Sequence, residues 1–186
     1  SVPYPQVDQS LVPATPAIYF PFDGTLTDTS GNNVAITQTG SLQYLTGING
    51  GKAVYLANEA NVLTSNSTVA ANYLTFGYNV VGTITVSMWM NATKLISTGN
   101  AYWGNPFSFG TSSAQYFILE ILNSSIYAWA GTNNTTPYAL SANQWYHVAS
   151  VWVPGSSVNL YINGVLIQSV SVTTVSYTHL RAHETL

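Results

Sequence analysis

Carboxylates are the side chains from which this chain could build acid–base or metal chemistry, and it has six: Asp8, Asp23, Asp28, Glu59, Glu120 and Glu184. No two stand two residues apart on one predicted strand, so no pair is placed to split its pKa values into an acid and a base. Glu120 lies in the apolar run 116–122, where a lone carboxylate reads as a residue on the solvent face of a strand. Cysteine is absent, which removes thiolate nucleophiles and disulfide staples. His147 would serve as a base only if a serine and an acid converged on it. Loops rich in oxygen donors hold hard cations, and Asp23, Asp28 and Asn32 fall in one such loop. They are the candidate ligands of a calcium ion, the one cofactor the chain suggests. Their competing role is to tie the loop down through Asx turns.

Sugar binding asks for an exposed aromatic plane with amides or hydroxyls around it. Tyr102 and Trp103, in the loop 99–106, answer that description and are the candidate carbohydrate-binding residues, with a loop anchor as the alternative for Trp103. Trp89 and Trp145 are expected to fill the core, whereas Trp129 and Trp152 cannot be assigned a face from the sequence. Glycosylation sequons stand at Asn66, Asn91, Asn123, Asn133 and Asn134, beside predicted loops; the last two overlap.

The elements that must position these residues are short strands. Asn163–Gly164 is a strong two-residue hairpin signal, because a type I′ turn needs positive φ at both positions. Leu160 and Ile162 before it, and Val165 and Ile167 after it, alternate with period two. With the run 145–153 and the break Pro154–Gly155–Ser156–Ser157, the stretch 143–170 reads as a β-meander. Earlier strands are expected at 18–22, one or two within 34–46, then 52–56, 61–64, 84–90, 107–109, 115–122 and 125–130. A turn falls at 48–51 and a polar connection at 65–82. This spacing of short strands is that of a β-sandwich, and no segment shows a helical period.

Four segments in order carry a family resemblance. Gln144–Trp145–Tyr146–His147–Val148–Ala149 followed by Leu160–Tyr161–Ile162–Asn163–Gly164–Val165 resembles the QWhHVA…LYvNGv signature of laminin-G-like jelly rolls. Tyr19–Phe20–Pro21–Phe22–Asp23–Gly24 with Asp28–Thr29–Ser30–Gly31–Asn32, then Gly51–Lys52–Ala53–Val54–Tyr55–Leu56, then 82–90, resemble its opening, GkAlsF and gdfTisaWv segments. The resemblance spans roughly 18–171. It implies an all-β, antiparallel β-sandwich (a jelly roll, concanavalin A-like or laminin-G-like) with an extended N-terminal arm. It also implies a structural role for His147 and a cation at the sandwich rim. Glycan-cleaving relatives of the fold carry an E-x-D-x-E strand motif. This chain lacks it, so no catalysis is expected.

The family's closing strand segment has no counterpart here. Residues 175–186, which hold His179 and His183, instead resemble translated sequencing-adapter read-through and are read as non-native; no metal site is built on them. The domain is expected over 17–174, preceded by a proline-spaced arm over 1–16. Val2, Tyr4, Val7, Leu11 and Val12 of that arm need a surface, and a sheet edge is the obvious one. Charged residues are only 5% of the 186 residues, against about 25% in an average domain. Such a surface is expected to be covered by glycan or by neighbouring copies, or to sit in an already crowded setting. A chain starting at Ser1 suits a processed, exported protein. Three basic residues argue against nucleic acid as a partner, and no apolar run is long enough for a membrane span. The first functional expectation is therefore an extracellular or cell-surface structural subunit. It would assemble with copies of itself into a fibre or matrix by strand or arm exchange. The alternative is a carbohydrate-binding or adhesive lectin-like module of a larger secreted protein.

Overall fold

The computed structural model describes residues 16–57, 62–65, 74–75, 79–80, 82–95, 104–111 and 114–172. Their strands, in chain order, are β1 (Thr37–Thr39), β2 (Gln43–Thr46), β3 (Lys52–Tyr55), β4 (Val62–Thr64), β5 (Leu74–Thr75), β6 (Asn79–Val80), β7 (Ile84–Asn91), β8 (Gly104–Thr111), β9 (Ala114–Leu122), β10 (Ser125–Ala130), β11 (Asn133–Asn134), β12 (Tyr138–Ala139), β13 (Trp145–Val153), β14 (Ser157–Ile162) and β15 (Val165–Ser171). The described residues contain no α-helix, only a 3-10 turn at Ile48–Gly50.

Tight turns set the register. Asn163 and Gly164 take φ of 51° and 79°, so β14 folds back on β15 with Ile162 opposite Val165. This is the type I′ geometry the Asn–Gly pair demands. β9 closes on β10 in the same way: Asn123 (φ 49°) and Ser124 (φ 61°) stand between the paired Leu122 and Ser125. In the β2–β3 hairpin the backbone passes so close that a Cβ on Gly47 would lie 2.5 Å from the Lys52 carbonyl oxygen. Only glycine fits there.

Two antiparallel sheets form the sandwich. The front sheet runs β15–β14–β13–β7; the back sheet runs β11–β10–β9–β8, with β12 also paired to β10. β1–β4, β2–β3 and β5–β6 make separate two-stranded pairs. The last of these lies inside the stretch expected to be a polar connection.

Period-two patterning sends one side of each strand inward. From the back sheet come Phe117, Leu119, Ile126 and Ala128, and from the front sheet Val148, Val158 and Leu160, all fully buried in one cluster. Phe117 meets Trp152 across the sandwich at 5.8 Å between ring centroids. Burying a side chain of this size stabilises the fold by about 1.5–3 kcal/mol. Ser150 is the polar residue in the front sheet's inner row, and its hydroxyl donates to the Asn159 carbonyl at 2.8 Å. At one edge the Gln168 side-chain oxygen accepts from both the N–H and the hydroxyl of Thr136, tying β15 to the β11–β12 connection.

Two expectations are corrected. Residues 18–22 form no strand: Pro21 has no N–H to give, and Phe22 turns to φ 55°, which ends an extended run. Pairing there is reduced to the Tyr19 carbonyl, which accepts the Thr29 N–H at 2.8 Å. Trp89 and Trp145 are not core residues. Ile84, Val86, Met88 and Met90 pack against the core, and strict alternation then puts Trp89 on the outer face, 41% exposed. Trp145 shares that outer face, paired with Asn91. Trp152 is inside, 4% exposed, and Trp129 alternates with the buried Ala128 and Ala130, which turns it outward.

Candidate functional site

The outer face of the front sheet carries aromatic side chains, and its own strands bring no charged residue to it. β7 and β13 pair so that Trp89 stands opposite His147, Ser87 opposite Ala149 and Thr85 opposite Val151. β14 adds Tyr161 beside Ala149 and Asn159 beside Val151. Small residues thus occupy the middle of the face while Trp89 and Tyr161 lie on either side of them. The rings of Trp89 and His147 meet edge-on, 5.2 Å between centroids and 62° between planes.

His147 is fixed from the other side as well. Its N–H donates to the side-chain oxygen of Asn163 at 2.9 Å, and its carbonyl accepts the Asn163 N–H at 2.8 Å. The hairpin turn therefore positions the strand that carries the imidazole. Partial burial pushes the His147 pKa below its ordinary value, because a charged imidazolium loses hydration there. The ring is neutral at pH 7. β7, β13, β14 and β15 contain no Asp, Glu, Lys or Arg.

The back sheet's outer face is of another kind. Glu120 points away from the core yet is only 4% exposed, with Tyr127 directly opposite. One of its carboxylate oxygens and the Trp129 indole nitrogen are both buried without a hydrogen-bond partner in ideal geometry. Burial pushes the Glu120 pKa up, and the nearby indole N–H opposes that rise. The solvent-face position expected for Glu120 thus holds for direction but not for exposure. Among the described residues no second carboxylate joins it, and no three His, Asp or Glu side chains gather as metal ligands.

Asp28 organises the loop near residue 30. Its Oδ1 accepts the N–H groups of Tyr19 (3.0 Å) and Ser30 (2.9 Å), and its Oδ2 accepts the Val34 N–H (2.9 Å) and the Ser30 hydroxyl (2.8 Å). Desolvation works against ionisation, but these four bonds outweigh it and hold the carboxyl well below the usual range. Asn32 donates its amide to the Ala17 carbonyl at 2.9 Å. Asp23 is engaged separately, accepting the Lys52 N–H at 3.0 Å. With donors already at both of its oxygens, Asp28 acts as the carboxylate that builds the turn.

The remaining sequence candidates divide by position. Tyr102, Trp103, Asn66, Glu59 and the arm residues Val2, Tyr4, Val7, Leu11, Val12 and Asp8 lie outside the described residues, as do His179, His183 and Glu184. Asn123 is exposed at the tip of the β9–β10 turn. Asn91 ends β7 with its side-chain oxygen buried and unpartnered. Asn134 is exposed on β11, whereas the sequon of Asn133 ends on Thr135, which is 1% exposed and accepts the Ala128 N–H at 3.0 Å. Sequence reasoning missed Trp89 as a surface aromatic. The signal was present in 84–90, where Ile, Val, Met and Met take one parity and Thr85, Ser87 and Trp89 the other.

Two facing antiparallel sheets with this strand order define a jelly-roll sandwich. The chain belongs to the concanavalin A-like lectin/glucanases superfamily: a laminin G-type model of that superfamily matches residues 63–183. No curated protein sequence matches it significantly. Among solved structures it is similar to botulinum neurotoxin type C, a protein dependent on interaction with two ganglioside molecules to get into cells. That likeness has a TM-score of 0.61 at 18% identity, over 82% of this chain and 37% of that one. It is similar to the binding domain of Paraclostridial mosquitocidal protein 1, with a TM-score of 0.60 at 18% identity over 80% of this chain and 38% of that one. The binding domain of botulinum neurotoxin DC, solved with rat synaptotagmin II, gives 0.59 at 17% identity over 82% and 38%. The chain therefore spans less than two fifths of each of these neighbours, and likeness at this identity is a likeness of fold.

Proposed function

We propose that the chain is a carbohydrate-binding, lectin-like module of a secreted or cell-surface protein, and not a catalyst. The observation that carries this reading is Trp89, a tryptophan 41% exposed on the outer face of the front sheet, with the hydroxyl side chains of Ser87 and Thr85 on the same strand face. A pyranose ring presents C–H groups on one face and hydroxyls at its rim, which an indole plane flanked by Ser87 and Thr85 complements. The jelly-roll neighbours are binding domains, one of them from a ganglioside-dependent toxin, and this supports the binding reading over self-assembly into a fibre. The fibre reading rests on the arm 1–16, of which only Pro16 is among the described residues.

Glycan-array binding followed by titration of the wild type and Trp89→Ala tests the proposal. Loss of binding in a variant that keeps the wild-type circular dichroism supports it. Unchanged binding places the site elsewhere.

A further inference from the structure

We propose that the front-sheet face takes an uncharged glycan and discriminates against sialylated, uronic or sulfated ones; this rests on the glycan-binding reading. An anionic sugar laid on that face would lose hydration with no cation from the face's own strands to pair with. The four strands of the sheet carry no Lys or Arg. The whole chain has only three such residues, Lys52, Lys94 and Arg181. Lys52 is in β3, and its side chain lies over Gly24. Arg181 lies outside the described residues. Lys94 follows β7, beyond Asn91 and exposed, and is the one cation near enough in sequence to compete. The imidazole that the described strands place on the face, His147, is held neutral by its partial burial. What the face does offer is groups that both donate and accept: the hydroxyls of Thr85, Ser87 and Tyr161. Sugar hydroxyls have the same double character, whereas a carboxylate or sulfate only accepts.

Titrating the full chain with lacto-N-neotetraose and with its sialylated counterpart, by calorimetry and tryptophan fluorescence, tests this. The neutral probe is expected to bind at least about ten-fold more tightly than the acidic one, with affinity flat between about 50 mM and about 500 mM NaCl. Trp89→Ala is expected to abolish that binding, Trp89→Phe to retain part of it, and Lys94→Ala to leave it unchanged. Tighter binding of the sialylated probe, weakening with salt and lost in Lys94→Ala, overturns the inference and leaves glycan binding standing. If neither probe binds, and neutral maltohexaose and acidic heparin hexasaccharide fail as well, the glycan-binding reading itself is overturned. Neutral binding that survives Trp89→Ala in a folded variant overturns the assignment to this face.

Discussion

Trp89 and His147, on neighbouring strands, stand directly opposite each other on the outer face of the front sheet, their rings edge-on at 5.2 Å. A charged imidazolium there would lose part of its hydration, so burial favours the neutral form.

Stability should therefore fall on mild acidification. Because burial lowers the folded-state pKa of His147 below its ordinary 6.5, the unfolded chain binds the proton more readily. The stabilising contribution is full above pH 6.5 and is lost as pH drops through the folded-state value. The ring is half-exposed, so the effect should amount to less than about 1 kcal/mol. Urea denaturation at a series of pH values checks it: His147→Phe should flatten this part of the profile.

Glu120 should act with the opposite sign. Its folded-state pKa is raised by burial above the ordinary 4.5. Its contribution is therefore most favourable below pH 4.5 and is lost as pH rises through the folded-state value. Removing the charge from a buried, incompletely partnered site should stabilise the fold at pH 7. Glu120→Gln is expected to gain about 1–3 kcal/mol there, read as an increase in the urea midpoint, and to show no gain at pH 4.

The β14–β15 turn should be intolerant of change. Asn163→Ala keeps the positive φ, which costs an ordinary residue about 1–2 kcal/mol. It also removes the acceptor of the His147 N–H. Gly164→Val should be worse, since a β-branched residue is a severe misfit in that region. Thermal melting of both variants checks the order: wild type, then Asn163→Ala, then Gly164→Val.

Asp28 should stabilise its loop without a cation. Added calcium at about 1 mM is expected to leave the melting temperature unchanged, because a ligand that bound the folded state would raise it. Asp28→Asn should lower it, since the amide replaces an acceptor oxygen with a donor facing N–H groups. The Asp28 contribution is present above the ordinary carboxylate range and is lost as strong acid protonates the group. A clear calcium-induced rise in melting temperature, absent in Asp28→Asn, would contradict this.

Much of the sandwich is legible in the sequence, and the reasons are local. Asn163–Gly164 forces a turn whatever surrounds it, and the alternation in 145–153 and 157–162 fixes which side is buried. What was not legible depended on distant partners. The run 18–22 is aromatic enough for a strand, but Phe22 takes positive φ and Pro21 offers no donor. Glu120 is assignable to the outer side of β9, but nothing in a one-dimensional pattern says that the outer side is covered. The candidate site was legible only in principle. The resemblance drew attention to Trp89 as part of a strand motif, and large aromatics are placed inside by default. Yet the two methionines beside it already filled the inward positions, which leaves the indole outside.

The most direct test of the central claim is amide and indole chemical-shift mapping on the labelled full chain titrated with a neutral oligosaccharide. The expected result is saturable movement of the Trp89 indole N–H together with backbone amides of β7 and β13, at positions 85–91 and 145–151. Movement confined to the loop 99–106, around Tyr102 and Trp103, or no movement at all with a panel of neutral and acidic oligosaccharides, would contradict it.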